Sequence, residues 1–213
     1  MGYVVIAPVG DNLKALFIGM KEFPTQKVIL IATKENLNAA SRLGKKLEEF
    51  TIKYEIIEIS QDIMGEMFRV FGKICSSYNN DELIVNIATG DRMGTCAALS
   101  ASYANGLKTF GIMNDKAMIL PIMKLSYYNE LSENKLKILS EINTNTYTSL
   151  KDLSARLRMS ISLLSYHING NYKHKGLKEF RLVELKEQNK NLLVKLSEIG
   201  DLLLKGYIKC GVK

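Results

Sequence analysis

Four times within the first 105 residues, a short run of β-branched and other apolar residues gives way to a segment whose apolar positions recur every three or four residues. VVIA (4–7) leads into NLKALFIGMKEF before Pro24. VILIA (28–32) precedes Leu37, Ala40, Leu43, Leu47 and Phe50, and KYEIIEI (53–59) precedes Ile63, Met67, Val70, Phe71, Ile74 and Tyr78. ELIVNIA (82–88) precedes a run of small residues from Arg92 to Asn105. A period of two that alternates with a period of 3.6 is the pattern of strands joined by crossover helices. Short loops between them leave one economical solution, a mostly parallel sheet with helices on both faces. LKTFGIM (107–113) and AMILPI (117–122), joined by Asn114-Asp115-Lys116, add a terminal strand pair, expected as a hairpin.

In a Rossmann-like sheet of order 3-2-1-4-5, the first and fourth strands are neighbours, and ligands bind outside their carboxyl ends. The loops that overhang this point are PVGDN (8–12) and ATGDRMG (88–94), both with a Gly-Asp pair. A glycine turn leading into a helix aims unpaired backbone N–H groups at an anion, so a phosphate-bearing ligand is expected there, and a plain strand-to-helix connection is the alternative. A nicotinamide dinucleotide fits poorly, because the first loop has one glycine where G-x-G-x-x-G needs three.

The remainder of the chain changes character. Residues 1–130 carry 14 Lys and Arg against 14 Asp and Glu, whereas residues 131–213 carry 15 against 8, so the whole formal charge of +7 lies in the second part. That asymmetry points to a polyanionic partner. SENKLKILSEI (132–142) reads as a helix with Leu136, Leu139 and Ile142 on one face. TSLKDLSARLRMS (148–160) reads as a second, with Leu150, Leu153 and Leu157 inward. After a turn at Arg158 and Met159, Ser160 caps a third helix with Ile161, Leu164 and Ile168 inward and Ser162, Ser165, Tyr166 and Asn169 outward. RLVELK and LLVKLS, with a polar turn at Glu187–Asn191, form a hairpin, and a last amphipathic helix follows. A helix-turn-helix beside a β-hairpin wing is expected to read double-stranded DNA, and a small helical hairpin with a solvated lysine-rich face is the alternative. Position nominates Ser162, Ser165, Tyr166 and Asn169 for the groove and Lys173, Lys175, Lys186 and Lys190 for phosphates, the last two at the wing tip.

Other classes are disfavoured. No apolar run approaches the roughly 20 residues of a membrane span, and no basic leader precedes the first strand, so a cytoplasmic protein is expected. Cys75, Cys96 and Cys210 form no C-x-x-C pair and are expected as small buried hydrophobes rather than a disulfide or metal site. The histidines, His167 and His174, both fall in the second part, and neither paired carboxylates nor metal-ligand spacing marks the two loops, so no catalytic residue, metal or cofactor is assigned.

APVGDNLKALFIGMKEFPTQKVILI, NIATGDRMGTCAA and LRMSISLLSYHINGNYKHKGLKEFRLVEL together resemble archaeal regulators that join a CARF domain, the CRISPR-associated Rossmann fold, to a winged helix-turn-helix. The resemblance implies an α/β CARF domain for sensing and dimerisation over residues 1–125 and a winged helix-turn-helix over 126–213. It implies a homodimeric transcription regulator that responds to a nucleotide second messenger, a cyclic oligoadenylate. Carried over to this chain, the ligand-binding residues are Pro8, Val9, Gly10, Asp11 and Asn12 with Thr89, Gly90, Asp91, Arg92 and Met93. Arg92 resembles the family's phosphate partner, whereas Asp91 departs from its commoner pattern. Such a carboxylate repels phosphate unless it pairs with Arg92 or turns to a hydroxyl or amine. Two alternatives accompany this expectation: slow cleavage of the cyclic ligand, and a Rossmann part that only dimerises.

Overall fold

The computed structural model describes residues 2–121, 131–188 and 191–206, and the chain divides into two units, residues 1–125 with 205–213 and residues 126–204. The first unit is built on a six-stranded sheet of β1 (Tyr3–Pro8), β2 (Thr25–Thr33), β3 (Lys53–Ile59), β4 (Leu83–Asn86), β5 (Lys108–Met113) and β6 (Lys116–Leu120). Their order is β3-β2-β1-β4-β5-β6, parallel except for the last pair. The chain therefore reverses its direction of travel across the sheet between β1 and β4, as the Rossmann-like pattern requires.

Helices α1 (Lys14–Glu22) and α2 (Leu37–Glu49) share one apolar layer with Val5, Ala7, Leu30 and Phe110 of the sheet. Alternation sends Val4 and Ile6 to the opposite face, the side of α3 (Ile63–Ser77) and α4 (Arg92–Asn105), which pack on each other. Asn114 and Asp115 both take positive φ, 52° and 57°, and close the β5–β6 hairpin. Gly106, at φ 65°, ends α4 in the left-handed conformation that a side chain resists.

The second unit contains α5 (Glu133–Glu141), β7 (Thr148–Ser149), α6 (Leu150–Leu157), α7 (Ile161–Asn169), β8 (Val183–Gln188), β9 (Asn191–Leu196) and α8 (Glu198–Gly206) up to Leu204. Its three strands lie in the order β7-β9-β8, all antiparallel. Ser132, Ser149 and Ser160 each cap a helix by accepting a backbone N–H from three residues on. Ile138, Leu139, Leu153, Leu164, Ile168, Leu177, Leu182 and Val194 make its core.

Several sequence expectations need correction. β4 stops at Asn86, and Ile87–Thr89 form a 3₁₀ turn, because the Asn86 side chain accepts from the Ala88 N–H and pulls the chain out of the ladder. Phe50 is 64% exposed, since it follows the last turn of α2 instead of lying on its inner stripe. Ile161 is exposed while His167 is buried: the first turn of α7 extends past the core, and position 167 stays over it. Ile138 is fully buried in α5 together with Leu139, whereas Leu136 is only partly buried. Glu187 and Asn191 pair with Leu192 and Gln188, so both belong to the hairpin's strands rather than to its turn. Cys96 is exposed and Cys75 half-buried, so neither is a core hydrophobe, and Cys210 lies outside the described residues.

Candidate functional site

The two glycine-bearing loops of the first unit meet at the carboxyl edge of the sheet. β1 delivers Pro8 and Val9 into the core, with the Val9 N–H donating to the Ile31 carbonyl at 2.8 Å. Gly10 then runs against the other loop so closely that a Cβ there would sit 2.6 Å from the Gly90 carbonyl carbon and closer still to the Asp91 amide nitrogen. Only glycine permits that approach. Asp11 and Asn12 are exposed beyond it.

Asn86 fixes the second loop from beneath. Fully buried at the end of β4, it donates to the Ala15 carbonyl of α1 at 3.0 Å and accepts from Ala88. Thr89 is also fully buried, its hydroxyl turned to the Asn86 carbonyl, and Thr95 donates to the Ile87 carbonyl at 2.9 Å. Of the ten proposed ligand residues, Pro8, Val9 and Thr89 are therefore framework, with side chains turned inward. Gly10, Asp11, Asn12, Gly90, Asp91, Arg92 and Met93 reach the surface.

Asp91 resolves its own ambiguity locally. Its carboxylate is the N-cap of α4, accepting from the Gly94 N–H at 2.6 Å, and no ion pair joins it to Arg92 among the described residues. A carboxylate thus already occupies part of the positive helix end that an anion would use. Arg92 and Met93, in the first turn of α4, remain exposed, Met93 to 52%.

Beside Asp91 opens a hollow of about 700 Å³, walled by Thr33 at the end of β2, by Lys34 and Glu35 after it, and by Glu58, Ser60 and Gln61 around the end of β3. Three carboxylates face one ammonium there. Such a wall suits hydroxyls, amines and amides better than phosphates, which Coulomb repulsion would keep toward Arg92. The sequence reading named only the loops after β1 and β4. The signal for the others was available, since the residues after β2 and β3 also end parallel strands at the carboxyl edge.

In the second unit, α7 presents Ser162, Tyr166 and Asn169 to solvent with Ser165 half-exposed, and the Asn169 amide donates to the Ser165 hydroxyl at 3.1 Å. Lys173 and Lys175 are exposed on the turn 171–176, which Asn171 knits by accepting from the N–H groups of Lys173 and His174. Lys186 is exposed, but within β8 rather than at the hairpin tip, with its Nζ 5.9 Å from the Tyr147 ring centre. Lys190 lies outside the described residues. Lys195 pairs with Glu184 at 2.9 Å and holds that carboxyl below its ordinary range. Arg158 was not among the proposed contacts, although it is exposed in the turn between α6 and α7.

His167 is the unusual member of α7. It is 8% exposed, and neither ring nitrogen has a hydrogen-bond partner among the described residues. Burial, and then the nearby Lys135 charge, hold its pKa below the ordinary histidine value.

A family model described as HFX_2341_N:-like, N-terminal matches residues 3–117, more than half of the chain. No curated protein matches the chain. Among solved structures, Can2 from Sulfobacillus thermosulfidooxidans, in complex with cyclic tetra-adenylate, is 14% identical with a TM-score of 0.46 over 95% of this chain and 61% of that one. Protein VC1899 from Vibrio cholerae is 12% identical with a TM-score of 0.48 over 95% of this chain and 64% of its own. The chain spans less than two thirds of the length of either. No described helix is long and apolar enough to cross a membrane.

Proposed function

The chain belongs to the family described as HFX_2341_N:-like, N-terminal, and from that premise we propose that it is a ligand-responsive, DNA-binding transcription regulator. In this reading residues 1–125 form a CARF-type sensing and dimerisation domain, and residues 126–213 form a winged helix-turn-helix. One observation carries the proposal: all of the net positive charge lies in residues 131–213, while the part with the strand-switch loops is electroneutral. The order α5, β7, α6, α7 and then the β8–β9 hairpin supports the second assignment, with α7 as the groove helix and the hairpin as wing.

The ligand proposed is a nucleotide second messenger of the cyclic oligoadenylate class. Its phosphates would lie toward Arg92 and the free N–H groups of the first turn of α4. Its ribose hydroxyls and adenine amines would lie toward Asp91, Glu35 and Glu58, whose carboxylates accept hydrogen bonds from those groups. The protein senses and does not cleave. Asp91 is engaged as a helix cap, and no catalytic base is assigned among the exposed loop residues. The regulator acts as a homodimer in the cytoplasm and requires no metal or cofactor.

Two measurements test this. The full chain should shift duplex DNA at low salt and release it as salt rises, and absence of any shift removes the regulator reading. Calorimetric titration with cyclic tri-, tetra- and hexa-adenylate should give binding that Arg92→Ala weakens. No heat with any of them leaves a first unit that only dimerises, and linear products after incubation would make the chain an enzyme.

A further inference from the structure

We propose that α7 selects A·T base pairs by their thymine methyl groups, which Ile161 and Leu163 of its first turn contact in the major groove. The inference rests on the reading of residues 126–213 as a winged helix-turn-helix and states what its groove helix recognises.

Two features of α7 carry it. The first is what the helix lacks. ISLLSYHIN contains no Lys, Arg, Asp or Glu, although it lies in the part of the chain that holds all of the net positive charge. Guanine is read chiefly by the paired donors of Arg or Lys at O6 and N7, and a carboxylate suits the cytosine amino group, so this helix offers neither of the charged contacts that mark G·C pairs. The second is what the helix exposes. Ile161 is 50% and Leu163 39% exposed, whereas Leu164, His167 and Ile168 are buried.

Those two side chains stand where a groove helix meets bases. Ser160 caps α7 by accepting the Leu163 N–H at 3.2 Å, so residues 161–163 form its first turn on a fixed backbone. The N-terminal residues of a groove helix are the ones presented to base edges. Thymine shows its C5 methyl there, and an aliphatic side chain gains by removing that methyl from water. At 3.6 residues per turn Ser162 lies between Ile161 and Leu163, and its hydroxyl suits the adenine of the same pair.

The surrounding charge fits a duplex. Arg158 is exposed in the turn before Ser160, and Lys173 and Lys175 are exposed on the turn 171–176 that follows the helix. A ring contact between Tyr166 and His174, 6.5 Å between centres, sets that second turn beside α7. No ion pair engages any of the three cations among the described residues. Cations before and after a neutral helix with apolar flanks match a groove that carries methyl groups and is bordered by phosphates. A second copy of the chain docked through this face would set like charges against each other.

The test lets the full chain select from a pool of random duplexes, then remakes the best-bound duplex with deoxyuridine at each thymidine in turn, which removes only the C5 methyl. Thymidines should recur at fixed positions, and deoxyuridine at a contacted one should weaken binding about fourfold. Ile161→Ser with Leu163→Ser, both at exposed positions, should keep the melting temperature of the chain and bring the ratio of the two affinities close to one. A pool retained without enrichment, fixed G·C positions with no effect of deoxyuridine, or a methyl effect that survives both substitutions overturns the inference while DNA binding stands. Failure to retain any duplex at low salt removes the regulator reading, and this inference with it.

Discussion

At the scale of single residues, backbone approach and burial separate positions that look alike in the sequence. Gly10 and Gly111 are both strand-associated glycines, but a Cβ at Gly10 collides with the Gly90–Asp91 backbone while one at Gly111 meets nothing within 4 Å. Gly10→Ala should therefore destabilise the chain by about 2 kcal/mol through forced displacement of the loop. Gly111→Ala should be neutral or stabilising, by up to about 0.5 kcal/mol. Denaturant midpoints of the two variants check this, and equal effects would contradict the loop packing. His167 gives a pH dependence whose sign follows from its lowered pKa. The free imidazole titrates at 6.5, and in the fold burial and Lys135 move that midpoint down. Between the two midpoints the unfolded chain binds more protons, so stability is full above 6.5 and falls as pH drops through it. Replacement by Gln should flatten that part of the profile in urea titrations repeated across pH.

At the scale of elements, local signals did most of the work, and they failed where an element is shorter than its period. Ser132, Ser149, Ser160 and the Asn114-Asp115 turn sit where capping and hairpin chemistry put them. Strand β7 has only two residues, too few for an alternation, and exists because Thr148 and Ser149 pair with Val194 and Leu193 far along the chain. The inner face of α7 was misread for a related reason: Ile161 fits the helical period, but which turn lies over the core depends on where α5 and α6 end. The turn after α6 also carries a correctable strain. Arg158 closes it at φ 53° and ψ 39°, a left-handed conformation that costs a side-chain-bearing residue about 1 kcal/mol. Arg158→Gly should raise stability by about 0.5 kcal/mol, measured as a higher melting temperature, once the greater freedom of unfolded glycine is deducted. A lower melting temperature would mean that the Arg158 side chain makes contacts outweighing its backbone strain.

At the scale of the whole molecule, the division of charge is the property with functional consequence. If residues 131–213 grip DNA through phosphates, Lys173→Ala should weaken binding to all sequences alike and reduce the salt dependence by about one counterion. Asn169→Ala should instead change sequence preference, because its amide lies on the exposed side of α7. Electrophoretic shifts at several salt concentrations with two unrelated duplexes separate these outcomes. The amino-acid sequence determined the succession of strands and helices, the switch-point loops and the charge asymmetry, because periodicity, capping and composition act between near neighbours or need no geometry. Tertiary structure alone decided that Thr89 and Val9 face inward, that Asp91 caps α4 beside a hollow walled by loops from β2 and β3, and that His167 is buried without a partner. Each of these is a question of which distant segment covers a side chain, and in this fold that is settled only when strands far apart in the chain align.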